Sequence, residues 1–264
     1  MRSMKNRAVK KRIWSAWLVM SALLVGAAFE VPMVLGQVPY EAPPKPGEVP
    51  DTAVPPSAKP LDEEEAKRAE ALLPLLEGKQ EFWAMGEFVH LGPPAAPVLV
   101  KALKMPSPRI RYNAIETLLM LKEASVAPAL VESAKDPNEI PRVREHALRV
   151  AVRLHPALVP PAIEAMAKDP NSSTRKTAAF EARYVRQKAV VPVLIGLISD
   201  EERFVSVTAI NSLWMLTRHE SEVHDWETSS KQDRVEWTQE WLDWWKEAQG
   251  TFELPEPRRP RKPH

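Results

Sequence analysis

Histidine and carboxylate side chains concentrate in one polar segment near the C-terminus, residues 218–230. The members that are able to bind a metal are His219, Glu220, Glu222, His224 and Asp225. Structural zinc sites need histidines and cysteines at set spacings, and these residues match no such pattern. The sequence therefore predicts a solvated loop here and no metal site.

Three further histidines could take part in catalysis, and they lie in separate stretches of the chain: His90, His146 and His155. No serine stands near any of them in a context typical of a nucleophile. The chain also lacks cysteine, which excludes disulfides, thiolate metal sites and a lipidated cysteine. Carboxylate pairs are frequent, but nothing in the sequence places two of them in one cleft. We predict that the protein is not an enzyme and has no cofactor.

Four tryptophans share one face of a predicted helix over 231–249. Trp237, Trp241, Trp244 and Trp245 follow the spacing i, i+4, i+7 and i+8. An exposed stripe of indoles would stack sugars or other rings, whereas a buried stripe would close the open end of a repeat array. We favour the buried stripe and assign 218–250 to a polar loop followed by a capping helix.

Charge separates the N-terminus from the rest of the chain. Residues 1–36 contain six of the 36 Lys and Arg residues and one of the 35 Asp and Glu residues, so the remainder carries a net charge of −4. Binding to phosphate backbones needs clustered positive charge. A mildly acidic body thus argues against nucleic acid as the partner.

The first 36 residues have the order of an export signal. Six basic residues precede an apolar run over 13–28, which Glu30 and Pro32 interrupt. Val34 and Gly36 then stand at the small-residue positions of a cleavage site. Cleavage after Gly36 or after Ala28 fits this order. The alternative is an uncleaved anchor, although 16 apolar residues are fewer than the roughly 20 that cross a bilayer comfortably. Both alternatives place the remainder outside the cytoplasm, periplasmic or secreted, with membrane contact only through an uncleaved segment.

Two further segments are predicted to lack regular structure. Residues 37–60 are rich in proline and are assigned to an extended linker. Residues 251–264 end in a basic, proline-rich run and are assigned to a disordered tail, which offers only a weak signal for anionic lipid.

An internal repeat occupies most of 61–217, after a first helix that starts near Leu61 and ends or kinks at Pro74. A proline followed by two apolar residues recurs at spacings of 31, 33 and 31, at Pro97, Pro128, Pro161 and Pro192. Fourteen residues before the last three of these prolines stand Ala114, Ala147 and Ala178, and Ala209 begins a further copy. Asp136-Pro137 and Asp169-Pro170 mark the boundaries between units.

Each unit is predicted to be a helical hairpin. The Asp-Pro pair ends one helix and starts helix A, and the later proline opens helix B. Counted from that proline, positions +1, +2, +5 and +6 of helix B are apolar or small in nearly every copy, which gives a one-sided stripe. One hairpin cannot bury this stripe alone, whereas stacked neighbours can, so we predict an all-α solenoid of four to five hairpins.

These repeats resemble HEAT repeats, in particular the short class of about 31 residues first associated with phycobilin (PBS) lyases, over about 79–217. The resemblance rests on the helix A cores such as Val143-Arg144-Glu145-His146-Ala147 and on the helix B prolines. The tryptophan-rich end is similar to that of exported bacterial HEAT proteins. The resemblance implies a right-handed α-α superhelix whose B helices line a concave, partner-binding face.

The resemblance also implies roles for individual residues. Arg144 and Arg175 would pair with Asp136, Asp169 or Asp200 in a polar ladder between repeats. The first unit departs from the pattern because Trp83 stands in place of the helix A alanine, and the fourth because Ser206 stands in place of arginine. The lysines that end helix B offset the helix dipole: Lys104, Lys135 and Lys168.

Positions +3 and +4 of helix B are expected to point into the concave groove. The candidate partner-binding residues are Val100, Lys101, Val131, Glu132, Glu164 and Ile195. Exposed apolar residues rimmed by charge are typical of a protein-binding surface. The alternative is a broad stripe that packs on an adjacent element.

The sequence thus predicts a non-enzymatic scaffold or adaptor that binds a protein or peptide outside the cytoplasm. A lyase-like or chromophore-handling enzyme is the alternative implied by the repeat class, although such lyases act in the cytoplasm. A module that binds sugars of the cell envelope through the tryptophan helix is a third alternative.

Overall fold

The computed structural model describes residues 60–219, 221 and 228–256, and within this part of the chain all regular structure is helical. The α-helices are α1 (Glu63–Leu72), α2 (Glu81–Leu91), α3 (Ala96–Ala102), α4 (Pro108–Leu121), α5 (Ala127–Lys135), α6 (Pro141–Leu154), α7 (Pro160–Met166), α8 (Ser172–Ala182), α9 (Val190–Gly196), α10 (Arg203–Thr217) and α11 (Lys231–Ala248). The predicted signal or anchor and nearly all of the predicted linker lie outside the described residues. Among the helices described, none is long and apolar enough to cross a membrane.

The helices form two layers. The A-layer contains α2, α4, α6, α8 and α10, and the B-layer contains α1, α3, α5, α7, α9 and α11. Most helices contact the next helix of their own layer as well as helices of the other layer. Five successive hairpins, α2–α3 to α10–α11, therefore stack as an α-solenoid, and the predicted fold class is confirmed.

Local sequence signals set the helix ends. Asp62 and Ser230 form capping boxes at α1 and α11, and the side chains of Ser107 and Asn171 cap α4 and α8. The repeated prolines occupy equivalent places, because Pro97, Pro128 and Pro161 are second residues of B-layer helices and Pro192 is a third residue. Pro137 and Pro170, however, lie in the turns before α6 and α8. The prediction that the Asp-Pro pair opens helix A is therefore wrong by two to four residues.

Fully buried alanines mark where the A-layer helices pack most closely. Ala114, Ala147, Ala178 and Ala209 are inaccessible to solvent, and so is Ala84 in α2. Trp83 is 53% exposed, so the prediction that it replaces this alanine is wrong by one position. Ala84 precedes its helix B proline by 13 residues rather than 14, because the connection in the first hairpin is one residue shorter.

A ladder of arginines joins successive hairpins, at the position three residues before Ala114, Ala147 and Ala178. Arg111 Nη2 donates to Glu139 at 2.7 Å, Arg144 pairs with Asp169, and Arg175 pairs with Asp200. The predicted pairs of Arg144 and Arg175 are confirmed. Asp136 takes no part, since its carboxylate accepts from the backbone amide of Asn138 instead.

The ladder ends at the last hairpin. Ser206 holds the position that arginine occupies in the three preceding hairpins, and its hydroxyl donates to the Asp200 carbonyl oxygen at 3.2 Å. The guanidinium of Arg234, on α11, reaches the same carbonyl oxygen at 3.4 Å. A buried arginine from the last helix thus supplies the positive charge that the repeat no longer provides.

The tryptophan-rich helix closes the B-layer. α11 packs on α9, with Trp241 and Trp245 buried. Trp244 stacks on His219 with ring centroids 4.0 Å apart. The ring of Phe252 lies against Trp244 and Trp245. The predicted capping helix is confirmed.

Residues 251–256 pack against the solenoid. The sequence had predicted a disordered tail over 251–264, and this prediction is wrong for 251–256. Phe252 and Leu254 contact the core, and the carbonyl oxygens of Leu254 and Pro255 accept from Arg186. The basic composition of the last residues obscured these two apolar side chains. Residues 257–264 lie outside the described part.

Candidate partner-binding surface

The exposed side of the B-layer is the surface on which the sequence places a partner. Four of its helices, α3, α5, α7 and α9, are short, and each begins one or two residues before its repeated proline. At 3.6 residues per turn, the proline and positions +4 and +7 lie on one face of such a helix. Those positions are mostly exposed, as seen at Pro128, Glu132, Lys101 and Lys168.

The four +3 positions lie at the edge of this exposed face, about 60° from the proline. Val131 and Ile195 are buried and Val100 is half-buried, so the exposure expected of these apolar residues is not found. Glu164 alone of the four is exposed. An apolar +3 side chain packs against the neighbouring elements, while a charged one turns to solvent. Val131 and Ile195 therefore belong to a broad apolar stripe that packs on adjacent elements, which was the alternative to an exposed binding surface.

The charged candidates are exposed and paired. Lys101 Nζ lies 2.5 Å from Glu70 of α1, and Glu132 lies 2.9 Å from Lys135. Glu164 accepts from Lys168 at 2.8 Å, a hydrogen bond that holds the pKa of the Glu164 carboxyl below its usual range. The surface thus presents alternating acid–base pairs and no block of one charge.

A cavity of about 500 Å³ lies on this surface between α7 and α9. Its size falls in the range of ligand sites. Its lining combines one acidic and one basic side chain with small and apolar residues: Glu164, Ala167, Lys168, Ala189, Pro192, Val193, Gly196 and Leu197. Among the predicted binding residues, only Glu164 lines this cavity.

Gly196 lines the cavity and brings no side chain to it. A Cβ atom added at this helical position would meet no atom within 4 Å. The equivalent +4 residues in the other hairpins carry side chains, as Lys101, Glu132 and Ala165. The sequence analysis placed position +4, which Gly196 occupies, in the groove, but it did not name Gly196, Lys168 or Pro192 as binding residues. The signal was present, because a helical projection centred on the proline places all three on one face.

The tryptophan helix does not offer four indoles to a ligand. Trp241 is 1% exposed, and the half-buried Trp244 lies against His219 and Phe252. Burial of this face supports a structural cap rather than a platform that binds aromatic or sugar rings.

The described residues contain no group of three or more histidine or acidic side chains placed to hold a metal. His219 stacks on an indole, while His224 lies outside the described part.

Comparison with known proteins adds one finding. A family model for HEAT repeats matches residues 82–151, which span α2 to most of α6. No curated protein matches the chain. The match and the stacked hairpins together support a HEAT-repeat protein. HEAT repeats generally serve as scaffolds for protein–protein interaction and are typically non-enzymatic.

Proposed function

We propose that this protein is a non-enzymatic scaffold or adaptor that holds a protein or peptide partner on the exposed B-layer surface. The single observation that carries the proposal is the cavity between α7 and α9, which Gly196 leaves open on an otherwise side-chain-covered surface.

The lining of this cavity defines the partner segment that it would accept. Ala167, Pro192, Val193 and Leu197 provide an apolar floor. Glu164 and Lys168 pair with each other at its rim. An extended segment with one apolar side chain would fill the floor, and its backbone N–H and C=O groups would bond the rim charges.

Two matched glycine substitutions test the surface. Gly196→Leu fills the cavity, whereas Gly86→Leu adds the same side chain to α2 in the A-layer, where a Cβ also meets nothing within 4 Å. Replacing a helical glycine favours the helix by roughly 0.5–1 kcal/mol, so both variants are expected to fold.

The measurement is affinity capture of proteins from the native host with the wild-type chain and each variant. Proteins that the wild type and Gly86→Leu retain, but Gly196→Leu loses, are the expected partners. If Gly196→Leu retains the same proteins as the wild type, this surface is not the binding site. Glu164→Lys provides a second variant, because it reverses a rim charge on a side chain that is 60% exposed.

Export is part of the proposal and rests on the order of residues 1–36. A basic start, an apolar run over 13–28, and Val34 and Gly36 at the small-residue positions support a location outside the cytoplasm. Mass spectrometry of the protein from its host measures the mature N-terminus. A start at residue 29 or 37 supports a cleaved signal, and an intact N-terminus in the membrane fraction supports an anchor. An intact chain in the cytoplasmic fraction would contradict export.

The short-repeat class associated with phycobilin lyases is supported by spacings of 31 and 33 residues. The absorbance spectrum of the purified chain, with and without added bilin, tests whether chromophore handling accompanies that class. An unchanged spectrum is expected for a scaffold.

A further inference from the structure

A second cavity lies on the A-layer side, where α8 and α10 end and residues 251–256 cross them. Its volume is about 520 Å³, again in the range of small-molecule sites. It is lined by Arg183, Arg186, Trp214, Met215, Arg218, Pro255 and Glu256.

The three arginines of this cavity are bonded to neutral acceptors. Arg183 donates through Nε and Nη2 to the hydroxyl of Ser212, at 3.2 and 3.0 Å. Arg186 donates to the carbonyl oxygens of Leu254, at 3.0 Å, and Pro255. Arg218 donates to the carbonyl oxygen of Glu256.

None of the three forms an ion pair with a carboxylate among the residues that the structure describes, including that of Glu256. The arginines of the repeat ladder differ, because each of them binds an acidic side chain. The three guanidinium groups therefore meet at the cavity without a direct ion pair among the described residues, and Glu181 attracts Arg183 without pairing with it.

Hydrogen-bonding capacity remains on these side chains. A guanidinium carries five N–H donors. Toward the described residues, Arg186 and Arg218 each donate through Nη2 and leave Nε and Nη1 unused. Burial lowers the pKa of Arg183, because removal from water disfavours its charged form. An anion in the cavity would compensate Arg183 for the lost interaction with water, and it would accept hydrogen bonds from the exposed Arg186 and Arg218.

The remaining wall is apolar. Trp214 is half-buried, and its indole N–H donates to Ser221 at 2.8 Å, which fixes the ring. Met215 beside it is 59% exposed. The Arg183 guanidinium lies over the ring of Phe180, 4.1 Å from its centroid. The wall suits an apolar ring next to the positive charges.

We infer that this cavity binds a small organic anion, with a carboxylate or phosphate group on Arg183, Arg186 and Arg218 and an apolar ring against Trp214 and Met215. The site lies in a different layer from the proposed partner surface and does not depend on it.

Isothermal titration of the full chain tests this site with four probes. 1-Naphthoate and 1-naphthyl phosphate carry both the ring and the anion, and they distinguish a carboxylate from a phosphate ligand. 1-Naphthol lacks the anion and inorganic phosphate lacks the ring. At least one aromatic anion is expected to bind with one-to-one stoichiometry, about tenfold or more tighter than 1-naphthol and phosphate. If neither aromatic anion shows saturable binding, or if 1-naphthol binds as tightly, the inference is wrong.

Matched arginine variants locate the binding. Arg218→Gln is expected to weaken the aromatic anion by about tenfold, because it removes one charged donor pair. Arg203→Gln removes the same charge from the other, exposed end of α10 and is expected to leave binding unchanged. Equal losses in the two variants would show a non-specific charge effect and overturn the site.

Met215→Ala keeps the test valid if Arg218→Gln is unfolded. The side chain of Met215 is largely exposed, so its truncation is expected to preserve the fold. It should weaken the aromatic anions about threefold, in line with the loss of apolar contact, and leave the response to inorganic phosphate unchanged. Unaltered affinity for the aromatic anions would remove Met215 from the site and contradict the inference.

Discussion

Asp200 accepts hydrogen bonds from both Nε and Nη2 of Arg175, at 2.7 and 2.9 Å, across 25 residues of sequence. The same guanidinium donates through Nη1 to the Asp169 carbonyl oxygen at 2.8 Å. One side chain thus connects the turn before its own hairpin to the turn after it, and the bond with Asp200 raises the pKa of Arg175.

Removing the acid from this pair should destabilise the solenoid strongly. Asp200→Ala leaves the buried Arg175 guanidinium with the exposed Glu201, 3.3 Å away, as its one remaining acidic partner among the described residues. Breaking the buried pair with Asp200 costs about 3 kcal/mol. Urea unfolding monitored by circular dichroism measures the change. Glu164→Ala, which breaks the exposed pair with Lys168, is the matched control and should show no measurable change. Equal effects of the two variants would contradict the role of the ladder.

His146 should make the protein less stable in mild acid. Its ring is buried against Tyr112, with centroids 4.3 Å apart, and burial lowers its pKa below 6.5. Arg149 and Arg153 lower it further, while Glu116, 2.9 Å from Nε2, opposes them.

The sign of the effect follows from proton linkage. Below about pH 6.5 the unfolded chain binds a proton that folded His146 resists, so the free energy of unfolding decreases as the pH falls. Urea unfolding at pH 7.5 and 5.5 should show this decrease in the wild type and a smaller one in His146→Phe. A decrease of the same size in both would assign the pH dependence to other groups.

Trp241 should be a structural residue of the cap. Its truncation to alanine would leave a cavity in the packing of α11 and lower the free energy of unfolding by about 3–5 kcal/mol. Its neighbour Leu242 is 40% exposed, and Leu242→Ala should change stability by less than about 1 kcal/mol. Thermal unfolding of the two variants tests the difference. A small effect for Trp241→Ala would reopen the alternative of a ligand platform.

Lys122 adopts a left-handed backbone conformation at the end of α4, with φ of 54° and ψ of 30°. This conformation costs a residue with a Cβ atom roughly 1–2 kcal/mol, and glycine is free of that cost. Lys122→Gly is therefore expected to raise the midpoint of urea unfolding. Lys122→Ala retains the Cβ atom and serves as the control, with no gain expected. If both substitutions stabilise the protein equally, the lysine side chain and not its backbone is responsible.

The fold could be predicted from the sequence because its signals repeat. Pro128 and Pro161, together with the alanines fourteen residues before them, recur often enough to define the hairpins without any structure. The pairs of Arg144 and Arg175 followed from the same regularity, given the resemblance to a known repeat class. Periodicity is most informative where each unit is constrained by identical neighbours.

Sequence reasoning was least accurate where the repeat is irregular. The first hairpin has a connection shortened by one residue, and this shift moved the expected alanine position from Ala84 to Trp83. At the other end, Phe252 and Leu254 belong to no repeat, so only the folded chain shows that they pack.

The binding surface was predicted in outline but not in detail. Val131 and Ile195 stand at the boundary between the packed and exposed sides of short helices. At this boundary, a small rotation of the helix about its axis determines whether a side chain is buried or exposed. The cavity at Gly196 depends on an absent side chain, a feature that apolar periodicity does not record. The arginine cavity brings together residues from 183 to 256, which no local pattern connects.

Ser206 stands in place of the ladder arginine, and Arg234 of α11 reaches the same carbonyl oxygen. For protein engineering, the C-terminal end of the solenoid therefore differs from its middle. A duplicated unit spliced in between α7 and α8 would meet an acidic turn on one flank and an arginine on the other, as every native unit there does. The same unit added after α10 would meet Ser206 in place of an arginine and would have to displace α11. The number of repeats is therefore adjustable in the middle of the chain and terminated at its C-terminal edge.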